Sequence, residues 1–343
     1  MQCTNNLKQY TLALHNYLDG HKVFPGSIGS YRNSRNCGST NIAVLPYIEK
    51  MALWDIYCTR DTNAGRVPGT GGWSWWDSGD WAPIIDAFIC PSDGNSRSPN
   101  PDPSPYIKPS RCNYVTNRGD APIGSNGEIM GAWIIIDGGY YFDVDGKYGS
   151  SGNSGWRAPI KTRGAFSPIC ISEAGFTDGL SNTLAVSETV VPASSGERNI
   201  KGGVANIDYA EWGPPQDCLA VRSGSQIDQA VNVHNFASRG GAWSFGMCSF
   251  TGFTCSTPPN SPNCAGGGGE PSFDGFYPAQ SNHTGGVVAS LMDGSVTFAS
   301  DTVDTGKKDE RMIGNRDWIN FNPSIHGIWG AMSTRASGES ASL

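Results

Sequence analysis

One histidine and one aspartate near the C-terminal end are residue types that catalytic and metal-binding sites use. His283 lies in the string SNHTGG, and Asp293 opens the Asp-Gly pair that follows it. An imidazole and a carboxylate can share a proton or ligate a metal ion. However, the nucleophile motif GxSxG and the zinc motif HExxH are both absent from the chain. We therefore favour a structural role, in which the His283 ring ties its turn to the following hairpin by hydrogen bonds.

A second polar string, residues 177–183, has the sequence TDGLSNT. Its Asp178, Ser181 and Asn182 side chains are of the kind that most often satisfy backbone amides in Asx and ST turns. We predict that this string is a structural turn.

Two carboxylate pairs admit a chemical interpretation beside a structural one. Glu173 and Glu188 would suit glycoside hydrolysis, but nothing in the sequence sets the separation of their carboxyl groups. Asp143 and Asp145 alternate before a glycine, as in loops that hold Ca²⁺ through oxygen ligands. The glutamate that closes an EF-hand loop is missing, so a simple hairpin turn is the favoured interpretation.

A tryptophan-rich loop is the strongest candidate for a binding surface. Exposed tryptophans stack on sugar rings, and an apolar patch can also dock onto another subunit. Packing of the rings in the core beneath a long loop is the third interpretation. The residues concerned are Trp73, Trp75, Trp76 and Trp81.

The chain has ten cysteines, which favours disulfides and an oxidising compartment. No CxxC pair is present and the five histidines are scattered, so a structural zinc site is disfavoured and no cofactor is predicted. The local disulfide pairs that we predict are Cys90 with Cys112 and Cys37 with Cys58, although sequence alone does not fix the connectivity. The other candidates for disulfides, among which we expect one internal bridge, are Cys248, Cys255 and Cys264.

Charge and hydropathy exclude two classes of partner. The net charge is −7 and no cluster of lysine or arginine is present, which argues against nucleic acid and against anionic lipid. No run of 18 apolar residues occurs, so the sequence contains no membrane-span candidate. Abundant glycine indicates a protein rich in turns.

The first twenty residues predict an amphipathic helix that ends at Asp19-Gly20. No serine, threonine or aspartate precedes Cys3 as an N-cap. We interpret residues 1–20 as the distal half of a longer helix whose apolar part lies upstream of this sequence. Its apolar face consists of Cys3, Leu7, Tyr10, Leu14, Tyr17 and Leu18.

The remainder predicts a second helix over 41–58 capped by Thr40, and then strands and turns from about residue 112. Insertions are expected near 60–110 and, as a surface segment, at 242–274. Strands are expected at 132–136, 140–144 and 183–187. The last predicted hairpin joins 286–292 to 295–299 through Asp293-Gly294, and we expect it to lie beside the N-terminal helix.

Six strings in this order resemble a large prepilin-like family of unknown function that is expanded in planctomycetes. They are CTNNLKQ at 3–9, LPYIE at 45–49, FICPSD at 88–93, TDGLSNT at 177–183 with Glu188, SNHTGG with DGSVTF, and TRASGE at 334–339. Family members carry a prepilin-type signal and an apolar helix before this region. The family-motif residues, to which we assign structural roles, are Cys90, Asp93, Asp178, Ser181, Asn182, Glu188, His283, Gly286, Asp293 and Gly294.

The resemblance implies an α+β, pilin- or pseudopilin-like fold, with the helix packed on an antiparallel sheet of a single head domain over 21–343 that carries long disulfide-stapled loops. The function it implies is that of a non-enzymatic, extracellular or cell-surface structural subunit. Such a subunit would assemble with itself, as a homo-oligomer or filament, or with other pilin-like subunits. It would meet a membrane only through an upstream helix. A glycan-binding module that uses the Trp73–Trp81 loop is the alternative, and a secreted hydrolase is the third hypothesis.

Overall fold

The computed structural model describes most of the chain, and every structural statement below refers to that part. For residues 28–29, 56–59, 140–142 and 148–150 it describes the backbone alone. The described residues are 2–29, 38–59, 83–97, 111–122, 140–142, 148–150, 162–167, 170–208, 210, 213–235, 239–266, 274–310 and 322–343.

Helices and strands alternate irregularly along the chain, which confirms the α+β class. The helices are α1 (Gln2–His21), α2 (Thr40–Val44), α3 (Met51–Thr59), α4 (Pro215–Leu219), α5 (Cys248–Thr251) and α6 (Gly327–Ala331). The strands are β1 (Ile28–Gly29), β2 (Gly38–Ser39), β3 (Tyr114–Asn117), β4 (Tyr140–Phe142), β5 (Tyr148–Ser150), β6 (Leu184–Glu188), β7 (Val204–Asn206), β8 (Arg222–Ser223), β9 (Gln226–Ile227), β10 (Gly252–Phe253), β11 (Asn263–Ala265), β12 (Gly275–Phe276), β13 (Gly286–Leu291) and β14 (Val296–Ser300).

The main sheet has five strands in the order β10-β3-β6-β13-β14. All neighbours are antiparallel except β10 and β3, which are parallel. The predicted last hairpin is confirmed, with Val288 opposite Phe298. Its Asp293-Gly294 turn needs glycine because Gly294 has a φ of 90°.

Helix α1 lies against this sheet, as predicted. The Thr11 hydroxyl donates to Ser290 Oγ of β13 over 2.8 Å, and a ring nitrogen of His15 lies 2.7 Å from the Met292 carbonyl oxygen. Of the six residues of the predicted apolar face, Tyr17 is half-buried and the other five are buried. The face therefore packs on the protein's own sheet.

The main sheet is covered on both faces. Side chains that alternate along the strands pack toward α1 on one face, where Tyr114 and Met292 contact the helix cluster. On the other face Val115 and Val287 pack with Trp329 of α6. The sheet thus forms the centre of the core, and its α1 face carries the site described below.

The second helix differs from the prediction. It is divided into α2, a 3₁₀ turn over Leu45–Ile48 and α3, because Glu49 adopts a left-handed φ of 62°. Pro46 lies in the 3₁₀ turn, where it has no N–H to donate. Ser39 precedes the helix in place of Thr40, whose hydroxyl donates to the Gly26 carbonyl over 3.1 Å.

The prediction of a surface segment at 242–274 is wrong for its described part, residues 242–266 and 274. Trp243 and Phe253 are fully buried. The glycine, serine and threonine of this segment permit close backbone pairing: Thr254 N–H donates to the Tyr277 carbonyl, and β10 joins the main sheet. Of the other predicted insertion, near 60–110, only 83–97 is described.

Smaller sheets complete the fold. Strands β12-β11-β7 form a three-stranded sheet, and β1-β2, β4-β5 and β8-β9 are pairs. The predicted strands at 140–144 and 183–187 correspond to β4 and β6, whereas 132–136 lies outside the described residues. Among the described helices, none is both long and apolar enough to cross a membrane.

Candidate functional site

The site is built on the turn Cys90–Asp93, which follows a 3₁₀ turn at Asp86–Phe88. The Cys90 N–H donates to Asn113 Oδ1 over 2.9 Å. The Asp93 carboxylate accepts hydrogen bonds from the Asn113 amide at 2.7 Å, the Val191 N–H at 2.8 Å and the Asn95 N–H at 3.0 Å. Because two of these partners flank the ends of β3 and β6, the turn is fixed to the main sheet.

A disulfide joins this turn to the first turn of α1. Cys3 and Cys90 are bonded, with their Cα atoms 5.2 Å apart. The helix and the turn are adjacent because the Asn6 side-chain amide donates to the Ile89 carbonyl over 2.9 Å. The predicted pair of Cys90 with Cys112 is therefore wrong. Cys112 is buried instead beside the sheet, and burial raises the pKa of its thiol to about 12.

Glu188 ends β6 directly beneath the disulfide. Its side chain is 1 % exposed, its Oε2 accepts the Val288 N–H over 3.1 Å, and its Oε1 lies 3.4 Å from Cys90 Sγ. Burial raises the pKa of this carboxyl above its usual value, and the Val288 N–H and His283 partly oppose that rise. Antiparallel pairing places Glu188 opposite Tyr114, on the sheet face that α1 covers.

His283 completes the group from the turn that precedes β13. Its Nε2 lies 3.1 Å from Glu188 Oε1 and 4.0 Å from Cys90 Sγ. The His283 N–H donates to Ser281 Oγ, which holds the turn. The ring is 26 % exposed, so it is the one member of the group with clear access to solvent.

Four potential ligand atoms therefore converge on one point. One such atom from each of Cys3, Cys90, Glu188 and His283 lies within 4.8 Å of every other. Within the part of the chain that the structure describes, this is the one group of three or more such residues that could hold a metal ion. Cys3, Cys90 and His283 each belong to a string noted in the sequence, and Glu188 lies five residues after the TDGLSNT string.

The catalytic or metal-binding pairing of His283 with Asp293, which the sequence analysis weighed and disfavoured, is not formed. Asp293 lies beyond the other end of β13, roughly 20 Å away along six strand residues. Its Oδ1 accepts hydrogen bonds from the N–H and hydroxyl of Ser295, so it closes its own turn. The His283 ring ties its turn to Glu188 of β6 rather than to the hairpin.

Comparison with known families matches residues 1–306 to a family described as "Protein of unknown function (DUF1559)". The match covers every residue of the converged group. The chain belongs to this DUF1559 family. No match was found among curated proteins or among solved structures. The family description names no activity, so function must be argued from the site.

Asp178 of the DUF1559 protein has the capping role that the sequence predicted, but toward a distant segment. Its two carboxylate oxygens accept the N–H groups of Ser337 and Gly338 at 2.7 and 2.8 Å. The Asn182 amide donates to the Asp178 carbonyl oxygen over 2.8 Å, while Ser181 is exposed. The 177–183 string thus anchors the C-terminal TRASGE string.

Gly286 of the family motif is required by close packing. A Cβ at this position would lie 2.1 Å from the Ala299 carbonyl oxygen and 2.6 Å from the Phe298 ring. Any larger residue would therefore force β13 and β14 apart.

A second disulfide of the DUF1559 protein joins Cys218 to Cys264. The predicted bridge among Cys248, Cys255 and Cys264 is therefore wrong, because Cys264, which lies in β11, is bonded to Cys218 of α4. Cys248 and Cys255 are buried and belong to neither disulfide. Two disulfides are typical of a protein that matures in an oxidising environment.

Several predicted residues fall outside the described part of the structure. Of Cys58 the structure describes only the backbone, and Cys37 is not described, so their pairing stays a prediction. The others outside the described residues are Trp73, Trp75, Trp76, Trp81, Asp143 and Asp145.

Sequence reasoning missed two partners in this DUF1559 chain. It assigned Cys3 to the helix face alone, and it did not include Cys218 among the disulfide candidates. A signal for Cys3 was present, because Cys3 and Cys90 each lie in a family string. It also missed the buried ion pair in which Arg163 Nε donates to Asp120 Oδ1 over 2.7 Å.

Proposed function

We propose that the protein is a non-enzymatic, pilin-like structural subunit of an extracellular filament or of a secretion-associated assembly. The supporting observation is that α1 packs against the main sheet, with buried residues from Cys3 to Leu18, and is joined to the head by a disulfide in its first turn. In a pilin-type subunit the helix holds the head to the assembly, so this junction would bear the load.

The contacts of α1 favour a junction that resists separation. Apolar side chains at Leu7, Leu14 and Leu18 are buried, each worth roughly 1.5–3 kcal/mol of stabilisation relative to exposure. The Cys3–Cys90 disulfide adds a covalent link that persists even when local packing opens. A helix used only as a cover for the sheet would not require a link at its first turn.

The outer face of α1 is polar with one exception. Leu12 is 60 % exposed, whereas its neighbours on that face include Lys8, Gln9 and Asn16. Single exposed leucines are common on protein surfaces, so we assign Leu12 to the contact between subunits only as part of this proposal. In this proposal that face meets a second copy of the chain.

The hydrolase hypothesis has weaker support. Among described residues, His283 faces a buried carboxylate and a disulfide, an arrangement without an activated nucleophile. The glycan-binding hypothesis depends on tryptophans outside the described part, and it stays a prediction.

Immunogold electron microscopy of surface material from cells that make the protein tests the proposal. Antibody against the head should decorate polymers, and cells lacking the gene should show neither label nor those polymers. Label confined to dispersed single molecules would contradict the proposal.

A further inference from the structure

The Cys3–Cys90 disulfide is surrounded by a set of side chains that a disulfide does not need. A structural disulfide is stable in an apolar setting, yet here a buried glutamate and a histidine point at its sulfur atoms. Burial of the Glu188 carboxylate, whose side chain is 1 % exposed, is unfavourable unless partner groups compensate its charge. The Val288 N–H and the His283 ring are its partners, and the carboxylate also faces two sulfur atoms that, as thiolates, would share a cation with it.

Three of the distances lie within about 0.5 Å of those in a tetrahedral zinc site. Zn–S bonds of about 2.3 Å and Zn–N and Zn–O bonds of about 2.0 Å place neighbouring ligand atoms about 3.3–3.8 Å apart. Here Cys90 Sγ lies 3.4 Å from Glu188 Oε1 and 4.0 Å from His283 Nε2, and these last two atoms are 3.1 Å apart. The two sulfur atoms would have to separate from bonding contact, and the other ligand atoms already lie within 4.8 Å of one another.

The donor types and their supports also suit zinc. Two thiolates, one imidazole and one carboxylate are all zinc ligands, and their combined charge of −3 leaves a net charge of −1 with Zn²⁺. The ligands are held by outer hydrogen bonds: Glu188 Oε2 by the Val288 N–H, and the Cys90 backbone by Asn113. Such outer contacts orient metal ligands. The partly exposed His283 edge gives the ion a path from solvent.

We propose that, in the reduced protein, Cys3, Cys90, Glu188 and His283 bind one zinc ion, and that this site and the Cys3–Cys90 disulfide are mutually exclusive. A dithiol reductant supplies two electrons and two protons: it becomes a disulfide, and Cys3 and Cys90 become thiols. Binding of Zn²⁺ then releases both thiol protons to solvent. A disulfide oxidant reverses the step by thiol–disulfide exchange: it takes up two electrons and two protons and becomes two thiols, the Cys3–Cys90 bond forms again, and the zinc ion is released.

This inference does not depend on the proposed function. A subunit that never polymerises could still bind zinc, and a filament subunit could lack the site. The two proposals therefore fail independently.

Cobalt(II) titration of the full chain, before and after reduction by a phosphine, tests the site. Reduced protein should bind one equivalent with the thiolate-to-cobalt absorption of a tetrahedral site, and zinc should displace it. Oxidised protein should give no such absorption. Failure of the reduced protein to bind, or equal binding by the oxidised protein, would overturn the proposal.

Variants identify the ligands. Removal of Cys3 and Cys90 as Cys3→Ser/Cys90→Ser should abolish the signal, and His283→Gln or Glu188→Gln should weaken binding by at least about 10-fold. The matched control is Cys218→Ser/Cys264→Ser, which removes the other disulfide and should leave cobalt binding unchanged. Binding that survives Cys3→Ser/Cys90→Ser would place the metal elsewhere and overturn the proposal.

Circular dichroism covers the case in which reduction unfolds the chain. Metal binding then provides folding free energy, so zinc should restore the folded spectrum of the reduced protein. His283→Gln should show less restoration at the same zinc concentration. A reduced, unfolded chain that zinc does not refold would count against the site.

Discussion

Asp93 and Asp293 both belong to strings shared with the family, but their environments differ. Asp93 is 6 % exposed and its side chain accepts three hydrogen bonds, whereas Asp293 is exposed and, among the described residues, accepts from Ser295. A buried donor that loses its acceptor costs about 1–3 kcal/mol. The two positions therefore predict different effects of the same substitution.

Asp93→Ala should lower the free energy of unfolding by roughly 3 kcal/mol, because the Asn113 amide and the Val191 N–H would remain buried without this acceptor. Asp293→Ala is the control and should cost about 1 kcal/mol or less. Urea denaturation measures both values. Equal losses in the two variants would contradict the assignment.

His326 predicts a pH dependence of stability. Burial lowers the pKa of its imidazole below the usual 6.5, with Asp120 opposing the shift and Arg163 adding to it. His326 of the unfolded chain binds a proton near pH 6.5, whereas His326 of the folded protein binds one only at a lower pH. The stabilisation that comes from keeping His326 neutral is therefore fully present above pH 6.5. The free energy of unfolding should fall as the pH drops below that value.

Calorimetry from pH 7.5 to 5 measures this effect. His326→Asn keeps a donor toward the Lys307 carbonyl and should reduce the fall in melting temperature, whereas His21→Asn, at an exposed histidine, should not. A pH dependence that is identical in His326→Asn and in the wild type would refute this role.

Residue roles within one turn could be predicted from sequence, but long-range partners could not. The capping chemistry of Asp178 follows from its residue type, yet its partners at 337–338 depend on the tertiary fold. In the same way, the predicted disulfide joined Cys90 to Cys112, its neighbour in the sequence. No local feature of the sequence indicates that Cys3 of α1 lies beside Cys90.

At the scale of elements, the 3.6-residue period of residues 1–20 was sufficient to predict helix α1. The Asp293-Gly294 turn was sufficient to predict the β13–β14 hairpin. The division of the second helix was not predicted, because it depends on one residue, Glu49, in a left-handed conformation. The burial of 242–266 was missed because its glycine- and serine-rich composition is also that of surface loops.

The disulfide at α1 predicts a local effect as well as a global one. Cys3→Ser/Cys90→Ser should lower the free energy of unfolding by about 2–5 kcal/mol, since the bridge closes a loop of 87 residues. Hydrogen exchange of the amides of residues 7–10 should accelerate in this variant. Cys218→Ser/Cys264→Ser, whose bridge spans 46 residues, should destabilise the protein without that local change. Unchanged exchange in α1 of the first variant would contradict the proposed junction.

The outer face of α1 predicts an effect on assembly. Leu12→Asp should reduce polymer formation at least about 10-fold, because a charge replaces an apolar contact, and the fold should remain intact. Met51→Asp is the matched control, since Met51 is 53 % exposed on α3. Sedimentation of assembled material measures the difference. Equal assembly of the two variants would exclude Leu12 from the interface.

The whole molecule is a mixed α+β protein of the DUF1559 family. Its N-terminal helix packs on the main sheet and is bonded to the Cys90 turn beside that sheet. Composition and cysteine count pointed to a disulfide-containing protein, and the structure bears this out. The oligomeric state is a property of several chains, so neither the composition nor the fold of one chain determines it.

Helical reconstruction by cryo-electron microscopy of native surface material tests the central claim most directly. We predict a polymer in which α1 of each subunit runs toward the axis, with the Cys3–Cys90 junction at the base of an outward head. A protein that remains monomeric in native material, or a polymer whose subunits meet only through the heads with α1 facing solvent, would contradict it.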